Sequence, residues 1–250
     1  MSKEPSKGYL VVASLDYQFY VMGLNLIRSI KDVYPEAQVC FVVEEAFCDG
    51  EESIADHIIH CGDGIREKLW ALSRTPFDIT MYMDADMECV HEDISTVFDM
   101  LDGHDLMFTP LKKERDHYFK PGVWDNGRLE LHGGVFAYDI RNPLVKEFME
   151  DWYQYYQLQT SGQWWPDLKD GNPDYDKHPK WLSRWDQFTL WYLTNKDPKY
   201  KDLKIKHFEE EVRWNWTAYY LDFENATGKD IILNHLSGAK RFSKSPLFQP

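Results

Sequence analysis

Short apolar runs alternate along the first part of this chain with stretches whose apolar residues recur at helical spacing. The run GYLVVASLD (8–16) is followed by apolar residues three or four apart up to Pro35, which predicts a strand and then an amphipathic helix. A second helical stretch ends before Pro76. Three more strands are predicted, at 38–43, 57–61 and 79–83. Such alternation favours a mostly parallel sheet covered by helices, which binds ligands beyond the carboxyl ends of its strands.

The rest of the chain continues the pattern less regularly. A helix and two strands are predicted at 94–101, 104–108 and 133–138. Asn142 is an N-cap with Pro143 at the first helical position, so a long helix begins there. The stretch 159–181 is rich in Pro, Gly, Asp and aromatic residues and predicts a long ordered loop. We expect a further helix to begin at Ser183 and a last strand within 229–240.

Length and composition limit the classes of protein that the chain can belong to. With 250 residues, 43% of them hydrophobic, it is long enough to bury a substantial core. No Gly/Ser-rich or Pro-rich linker divides it, so we predict one compact α/β domain over 1–250, with halves 1–102 and 103–250. No segment approaches the length of a membrane span, and the four scattered cysteines show no CxxC pairing. We therefore expect a reduced, cytoplasmic protein.

The charge balance bears on the binding partners. Basic residues number 28 and acidic residues 42, which leaves a net charge of −14 without a Lys/Arg stripe. Nucleic acid and anionic membranes are therefore not expected as partners. The same charge repels a nucleotide, unless a metal ion or a few well-placed cations reverse the local field.

Two aspartates, Asp84 and Asp86, come directly after the apolar strand ITMYM. Residues two apart in an extended chain point to the same side, so we expect both carboxylates together at the carboxyl edge of the sheet. Paired carboxylates suit manganese or magnesium and leave open positions for substrate phosphates. An ordinary turn explains the same residues, because aspartate tolerates turns. The motif alone leaves both interpretations open.

The surroundings of this motif resemble glycosyltransferase family 8, the retaining glycosyltransferases of the glycogenin type. The family has LDAD followed by DISELFD, and this chain has MDAD followed by EDISTVFD. The family also carries a basic residue and a leucine on the preceding helix, matched by Lys68 and Leu69. The resemblance implies a Rossmann-like fold of the GT-A type, and a manganese ion on Asp84 and Asp86 that binds the diphosphate of a nucleotide sugar beside Ala85. It places Lys68 on the donor, although a solvated lysine is the simple alternative.

A second match lies near the end of the chain. The segment NHLSGAKRF is similar to the family pattern H-x-x-G-x-x-K-P-W. The resemblance makes His235 the third protein ligand of the metal, with Gly238 and Lys240 against the diphosphate. This sequence has one residue fewer between Gly238 and Lys240, and Arg-Phe replaces Pro-Trp. A purely structural histidine is the alternative for His235.

Two further stretches match the family on the side of the donor sugar. In a strand similar to LHGGVFAYD the family has an asparagine that touches this sugar, and here His132 takes its place, followed by Gly133. In SRWDQFTLW, Asp186 and Gln187 match an Asp-Gln pair near the reacting sugar. Ser183 and Asp186 also form a capping-box-like start to a helix, so a local role for Asp186 stays open.

The first loop, ASLDYQFY, lies where the family binds the nucleoside, with a spacing that differs by one residue. Ser14, Asp16 and Tyr17 are the candidates: the carboxylate for hydrogen bonds to base or ribose, and the ring for stacking on uracil.

Tryptophans are frequent in the second half of the chain. Sugar rings have apolar C–H faces that stack on indoles, so Trp164, Trp165 and Trp181 are candidates for an acceptor platform. Packing of the long loop onto the core explains them equally well.

The motifs together predict a metal-dependent glycosyltransferase. It would use Mn²⁺ or Mg²⁺ to transfer a hexose from UDP-glucose or UDP-galactose to a carbohydrate or other hydroxyl acceptor, with Lys68, Asp186 and Gln187 as catalytic groups. Retention of configuration is implied by the family resemblance alone. Two alternatives remain: a sugar-nucleotide or glycan-binding protein without activity, and a sugar nucleotidyltransferase. The latter normally has a glycine-rich basic loop after its first strand, which ASLDYQFY is not.

Overall fold

The computed structural model describes residues 4–64, 66–110, 131–161, 186–209, 211–217 and 231–236. The strands in these ranges are β1 (Lys7–Ala13), β2 (Val39–Glu44), β3 (His57–Cys61), β4 (Ile79–Asp84), β5 (Met87–Cys89), β6 (Leu106–Pro110), β7 (Leu131–Asp139), β8 (Ile205–His207), β9 (Trp216–Thr217) and β10 (Leu233–His235). The α-helices are α1 (Tyr17–Val33), α2 (Glu67–Leu72), α3 (Val97–Met100), α4 (Pro143–Thr160), α5 (Gln187–Asn195) and α6 (Glu211–Trp214). Short 3-10 helices cover Glu45–Phe47, Glu51–Ile54, Glu92–Thr96 and Pro198–Tyr200.

Seven strands form the main sheet, in the order β3-β2-β1-β4-β7-β6-β8. Strands β3, β2, β1 and β4 are parallel to one another, and β6 is parallel to β8. Strand β7 is antiparallel to both β4 and β6. The predicted α/β fold with a mostly parallel central sheet is therefore confirmed.

The two long helices begin at residues whose side chains cap them, Asp16 and the predicted N-cap Asn142. The side chain of Asp16 accepts a hydrogen bond from the backbone N–H of Gln18 at the start of α1, which ends at Val33, two residues before Pro35. At α4 the side chain of Asn142 accepts from the Leu144 N–H, with proline at the first turn. Both caps satisfy backbone N–H groups that lack partners within the helix.

The main sheet has an apolar layer on each face. Alternate residues of β1 point to opposite sides, so Tyr9 and Val11 pack with the α1 layer, and Leu10 and Val12 pack with the layer of α4. All four are buried, and burying a large apolar side chain contributes about 1.5–3 kcal/mol. Apolar packing on both faces therefore holds in place the sheet that carries the loops at its carboxyl edge.

A second sheet of three short strands has the order β5-β10-β9. Strand β10 is antiparallel to β5 and parallel to β9. The backbone N–H of Leu236 donates to the carbonyl of Asp86 at 2.8 Å, which extends this pairing to the turn after β4. We predicted neither β5 nor β9, because strands of two or three residues have no usable periodicity.

Several boundaries differ from the prediction. The helix expected at 94–101 starts as the 3-10 helix Glu92–Thr96 before α3. The strand expected at 104–108 starts at Leu106, because the His104 N–H donates to the Leu101 carbonyl in a turn. In its described part, the last strand is only Leu233–His235.

Some predictions fall outside the described residues. They are most of the long loop 159–181, the helix start at Ser183, Trp164, Trp165, Trp181, Gly238 and Lys240. Among the described helices, none is long and apolar enough to cross a membrane.

Candidate functional site

Asp84 and Asp86 lie at the carboxyl edge of the main sheet. Asp84 is the last residue of β4 and pairs with Val12 of β1, so the loop after β1 leaves the sheet beside it. The buried Ala85 and Asp86 form a turn into β5. The two carboxylates do come together, but the reason we gave was wrong, because a turn rather than extended chain joins them.

These two aspartates form one group with His235. One ligand atom from each of the three residues lies within 4.8 Å of the others. The Nε2 atom of His235 is 3.4 Å from Oδ1 of Asp86. Two carboxylates and an imidazole are a suitable donor set for a divalent cation, so the residues present fit the predicted metal. The structure brings all three predicted ligands together.

Asp84 has two neighbouring donors on one oxygen. Its Oδ1 accepts from the hydroxyl of Tyr82 at 2.6 Å and lies 3.3 Å from Nζ of Lys68. Burial opposes ionisation of Asp84, but Lys68 and His235 outweigh it and lower the pKa of this carboxyl below its ordinary value. Asp84 is therefore an anion at neutral pH.

Lys68 is not a solvated surface lysine. Its Nζ lies 2.9 Å from Oδ2 of Asp186 and donates to the Gly133 carbonyl at 3.1 Å, in addition to its contact with Asp84. Burial opposes its charge, but Asp186 and Asp84 raise the pKa of Lys68 above its ordinary value. Lys68 thus remains a cation and connects Asp84, in the group with Asp86 and His235, to Asp186 of the predicted sugar-binding pair.

Asp186 faces the site instead of capping its helix. It is the N-cap residue of α5, but its side chain makes no capping hydrogen bond. Its carboxylate lies between Lys68 and Arg66, whose Nε is 3.6 Å from Oδ1. The indole N–H of Trp152 donates to the Asp186 carbonyl at 3.1 Å. The side-chain N–H of Gln187 donates to the Leu131 carbonyl and fixes the orientation of the amide.

A bulge in β7 brings several backbone groups into the site. Phe108 of β6 pairs with Phe136, whereas Thr109 pairs with His132, so residues 133–135 have no counterpart in β6. Bulges of this kind are common beside active sites. The bulge places the Gly133 carbonyl against Lys68, and the Val135 carbonyl accepts from the Thr109 hydroxyl at 3.2 Å.

Gly134, in the same bulge, has no room for a side chain. A Cβ at this position would lie 2.6 Å from Oδ2 of Asp84 and 2.6 Å from Cε1 of His132. At Gly133, a Cβ would make only ordinary contacts, at 3.5 Å from the Trp152 ring. Gly134 is therefore the glycine that the packing of this site requires.

His132 lies beside the group of Asp84, Asp86 and His235 but is not one of its members. Its Nδ1 accepts from the Gly134 N–H at 3.1 Å, and its ring centre is 5.6 Å from that of His235. Burial and the neighbouring His235 lower the pKa of His132 to about 4. The ring is therefore neutral at pH 7, and Nε2 carries its proton as a donor.

The first loop follows β1 at the same edge of the sheet. Leu15, between the predicted residues Ser14 and Asp16, has a left-handed backbone with φ of 76°, and its N–H donates to the side chain of Glu44. Asp16 caps α1, and the hydroxyl of the half-exposed Tyr17 donates to Asp49 at 3.2 Å. A nucleoside contact by these residues stays a prediction.

Four residues of this site were missed by the sequence analysis: Arg66, Tyr82, Gly134 and Asn215. Tyr82 lies two residues before Asp84 in the same strand, so strand alternation alone could have indicated it. The Gly-Gly pair in β7 is typical of a bulge or close backbone approach and could have indicated Gly134. Nothing local marks Asn215. Its side-chain oxygen accepts a hydrogen bond from Nδ1 of His235, and the pairing of β9 with β10 brings the two residues together.

The sheet order, the acidic turn after β4 and the helices on both faces define an α/β protein of the GT-A type, as predicted. Solved structures of a galactosyltransferase are among those that share this fold. The galactosyltransferase LgtC in complex with donor and acceptor sugar analogues has a TM-score of 0.56 and 14% identity over 92% of this chain and 87% of that one. An active-site mutant of LgtC has a TM-score of 0.53 and 13% identity over 93% and 88%. No family model and no curated protein matches this sequence.

Proposed function

We propose that this protein is a metal-dependent glycosyltransferase that transfers a hexose from UDP-glucose or UDP-galactose to a hydroxyl acceptor, with retention of configuration. The observation that carries the proposal is the group of Asp84, Asp86 and His235 within 4.8 Å, at the carboxyl edge of a sheet that a galactosyltransferase shares. Ligands of open α/β sheets bind at this edge.

The metal would be Mn²⁺ or Mg²⁺, held by Asp84, Asp86 and His235. When bound, it supplies Lewis-acid stabilisation of the departing diphosphate. Three protein residues would hold the ion, and the preference of these cations for about six ligands would leave room for substrate oxygens.

The charges of the site support an anionic donor once a cation is present. Three carboxylates, those of Asp84, Asp86 and Asp186, face two cations, Lys68 and Arg66. One negative charge is left over, which repels a diphosphate. A divalent ion reverses this balance, and Lys68 adds a fixed positive charge in a buried setting where electrostatic interactions are strong. Lys240 and Gly238 would contact the same diphosphate.

The sugar would lie between the β7 bulge and the start of α5. Contacts with Lys68 and Trp152 fix the position of Asp186, whose carboxylate would accept hydrogen bonds from sugar hydroxyls. The amide nitrogen of Gln187 is committed to the Leu131 carbonyl, so Oε1 is its remaining group for the anomeric region. His132 would donate through Nε2 to a sugar or phosphate oxygen beside Gly133. The nucleoside would then reach Ser14, Asp16 and Tyr17.

The test is release of UDP from UDP-sugars. We expect the protein with Mn²⁺ to hydrolyse UDP-glucose or UDP-galactose slowly when water replaces the acceptor, and chelation with EDTA to stop the reaction. Asp86→Ala removes a ligand and should abolish release. Asp99→Ala is the matched control, because Asp99 is 85% exposed and pairs with Lys7 at the other end of β1.

The remaining outcomes distinguish the other classes. Metal-dependent UDP binding without release would indicate a binding protein without transferase activity. Formation of UDP-sugar from UTP and a sugar phosphate would indicate a nucleotidyltransferase. Failure of every UDP-sugar to bind, or binding that is indifferent to Mn²⁺, would contradict the proposal.

A further inference from the structure

The imidazole of His235 has a polar partner on each nitrogen. Nε2 lies on the side of the metal group, 3.4 Å from Oδ1 of Asp86. Nδ1 lies 2.8 Å from the side-chain oxygen Oδ1 of Asn215. An amide oxygen can only accept a hydrogen bond, so Nδ1 must carry the proton when this bond forms. The neutral ring then has its lone pair on Nε2, the atom that a metal needs.

The orientation of the Asn215 amide is itself fixed by its surroundings. The hydroxyl of Thr109 donates to the Val135 carbonyl at 3.2 Å, so the Thr109 oxygen is left as an acceptor. Nδ2 of Asn215 donates to this oxygen at 3.4 Å. With the amide nitrogen turned to Thr109, the amide oxygen faces His235. A flipped amide would place its oxygen against the Thr109 oxygen, whose proton is already donated to Val135, and this contact would be lost.

This chain of hydrogen bonds joins the two sheets of the molecule. Thr109 is 1% exposed and lies at the register shift between β6 and β7, in the main sheet. Asn215 lies between α6 and β9, and β9 pairs with β10, which carries His235. The main sheet thus reaches His235 through side chains, in addition to the backbone pairing within the small sheet.

We propose that Asn215 is a positioning residue for the metal site: it holds His235 in the Nδ1-protonated tautomer and aims Nε2 at the ion. Asn215 is outside the group of three ligands and was not indicated by any motif in the sequence. The proposal rests on the metal site of the proposed function and adds the residue that orients one of its ligands. Loss of such an outer partner typically weakens metal binding about 10–100-fold.

The first experiment measures the Mn²⁺ dissociation constant by electron paramagnetic resonance of the free ion. Asn215→Leu keeps the size of the side chain but removes the acceptor, and we expect weaker binding by about 10–100-fold. Asn215→Asp keeps an acceptor oxygen and should restore most of the affinity. Asn234→Leu is the matched control: Asn234 precedes His235 in β10, but its side chain reaches Glu88 at 3.5 Å instead of the His235 ring. The control should bind Mn²⁺ as the unchanged protein does.

A second measurement reads the tautomer without any metal. In the unchanged protein, the nitrogen chemical shifts of His235 at a pH where the ring is neutral should show a protonated Nδ1 and an unprotonated Nε2. Asn215→Leu should shift the ring toward a mixture of both forms. Equal Mn²⁺ affinity and equal shifts in Asn215→Leu and the unchanged protein would overturn the proposal.

The two measurements also separate this inference from the proposed function. If the unchanged protein binds no Mn²⁺, the proposed metal-dependent activity fails, and the nitrogen shifts still decide whether Asn215 sets the tautomer. If Mn²⁺ binds equally well to all variants, only the role of Asn215 fails. Circular dichroism melting curves show which variants remain folded.

Discussion

The main sheet and the small sheet differ in how they are built. The main sheet has strands of up to nine residues, and its inner strands are buried on both faces. The small sheet consists of strands of two or three residues from distant parts of the chain. Its role is to bring His235 to Asp86, through the pairing of β10 with β5. The main sheet supplies stability, and the small sheet brings in a candidate metal ligand from a distant part of the chain.

The residues that stabilise the fold and several residues of the candidate site thus lie in different sheets. Apolar burial in the main sheet stabilises the carboxyl edge on which Asp84 lies, and Lys68 reaches Asp84 from helix α2. The small sheet contributes His235 and its partner Asn215. Mutations in the first sheet should therefore mainly change the free energy of unfolding, and mutations around the second should mainly change metal affinity.

The largest expected effect is on the core of the main sheet. Phe136 is fully buried, and its ring centre lies within 5.6 Å of those of Tyr82, Phe108 and Trp152. We expect Phe136→Ala to lower the free energy of unfolding by about 3–5 kcal/mol, because it removes apolar contacts and leaves a cavity. Urea unfolding measures this change. In the absence of metal, His235→Ala should lower the free energy of unfolding much less. If both variants lost the same free energy, the two sheets would not differ in their contribution to stability.

The same contrast explains what could be predicted from the sequence. Strands β1 to β4 and helices α1 and α4 have strong apolar periodicity and local caps, so their positions were predicted within a few residues. Strands β5 and β9 are too short for periodicity and form only because β10 pairs with them. Local apolar periodicity therefore predicts most of the main sheet but does not predict the small sheet.

The candidate site divides in a similar way. Asp84, Asp86 and His235 were indicated by a motif and a family resemblance, and the structure brings them together. Arg66 and Asn215 depend on contacts between segments far apart in the chain, and no local signal marks them. The structure also removes one alternative that the sequence left open, since Lys68 is buried among carboxylates.

The next largest effect is the dependence of folding stability on pH that His132 causes. Its pKa is lowered from 6.5 to about 4, chiefly by burial, so below pH 6.5 the unfolded chain binds a proton that the folded protein does not. Folding stability should therefore fall as pH decreases from 6.5 to 4, by up to about 3 kcal/mol from this residue. His132→Asn removes the titrating ring. Urea unfolding at several pH values should show that the variant loses less free energy of unfolding between pH 6.5 and 4 than the unchanged protein. If both proteins lose the same amount, the lowered pKa of His132 is contradicted.

The smallest effect concerns the close approach in the β7 bulge. In Gly134→Ala the new Cβ meets Asp84 and the His132 ring at 2.6 Å, so Asp84, one of the proposed metal ligands, must move. We expect Mn²⁺ affinity to fall at least about tenfold, which equals about 1.4 kcal/mol. Gly62→Ala is the matched control, because a Cβ there has nothing within 4 Å. It should leave both affinity and stability unchanged, and equal affinity in both variants would show that the bulge does not shape the metal site.

The central claim is that Asp84, Asp86 and His235 form a metal site that the fold does not need for its stability. Isothermal titration of Mn²⁺ into the unchanged protein and into Asp86→Ala tests it most directly, with urea unfolding of both in the absence of metal. We predict that the unchanged protein binds Mn²⁺, that Asp86→Ala does not, and that this variant remains folded without metal. It loses the contact with His235 but also the repulsion between two neighbouring carboxylates. Undiminished binding by Asp86→Ala, or unfolding of this variant without metal, would contradict the account.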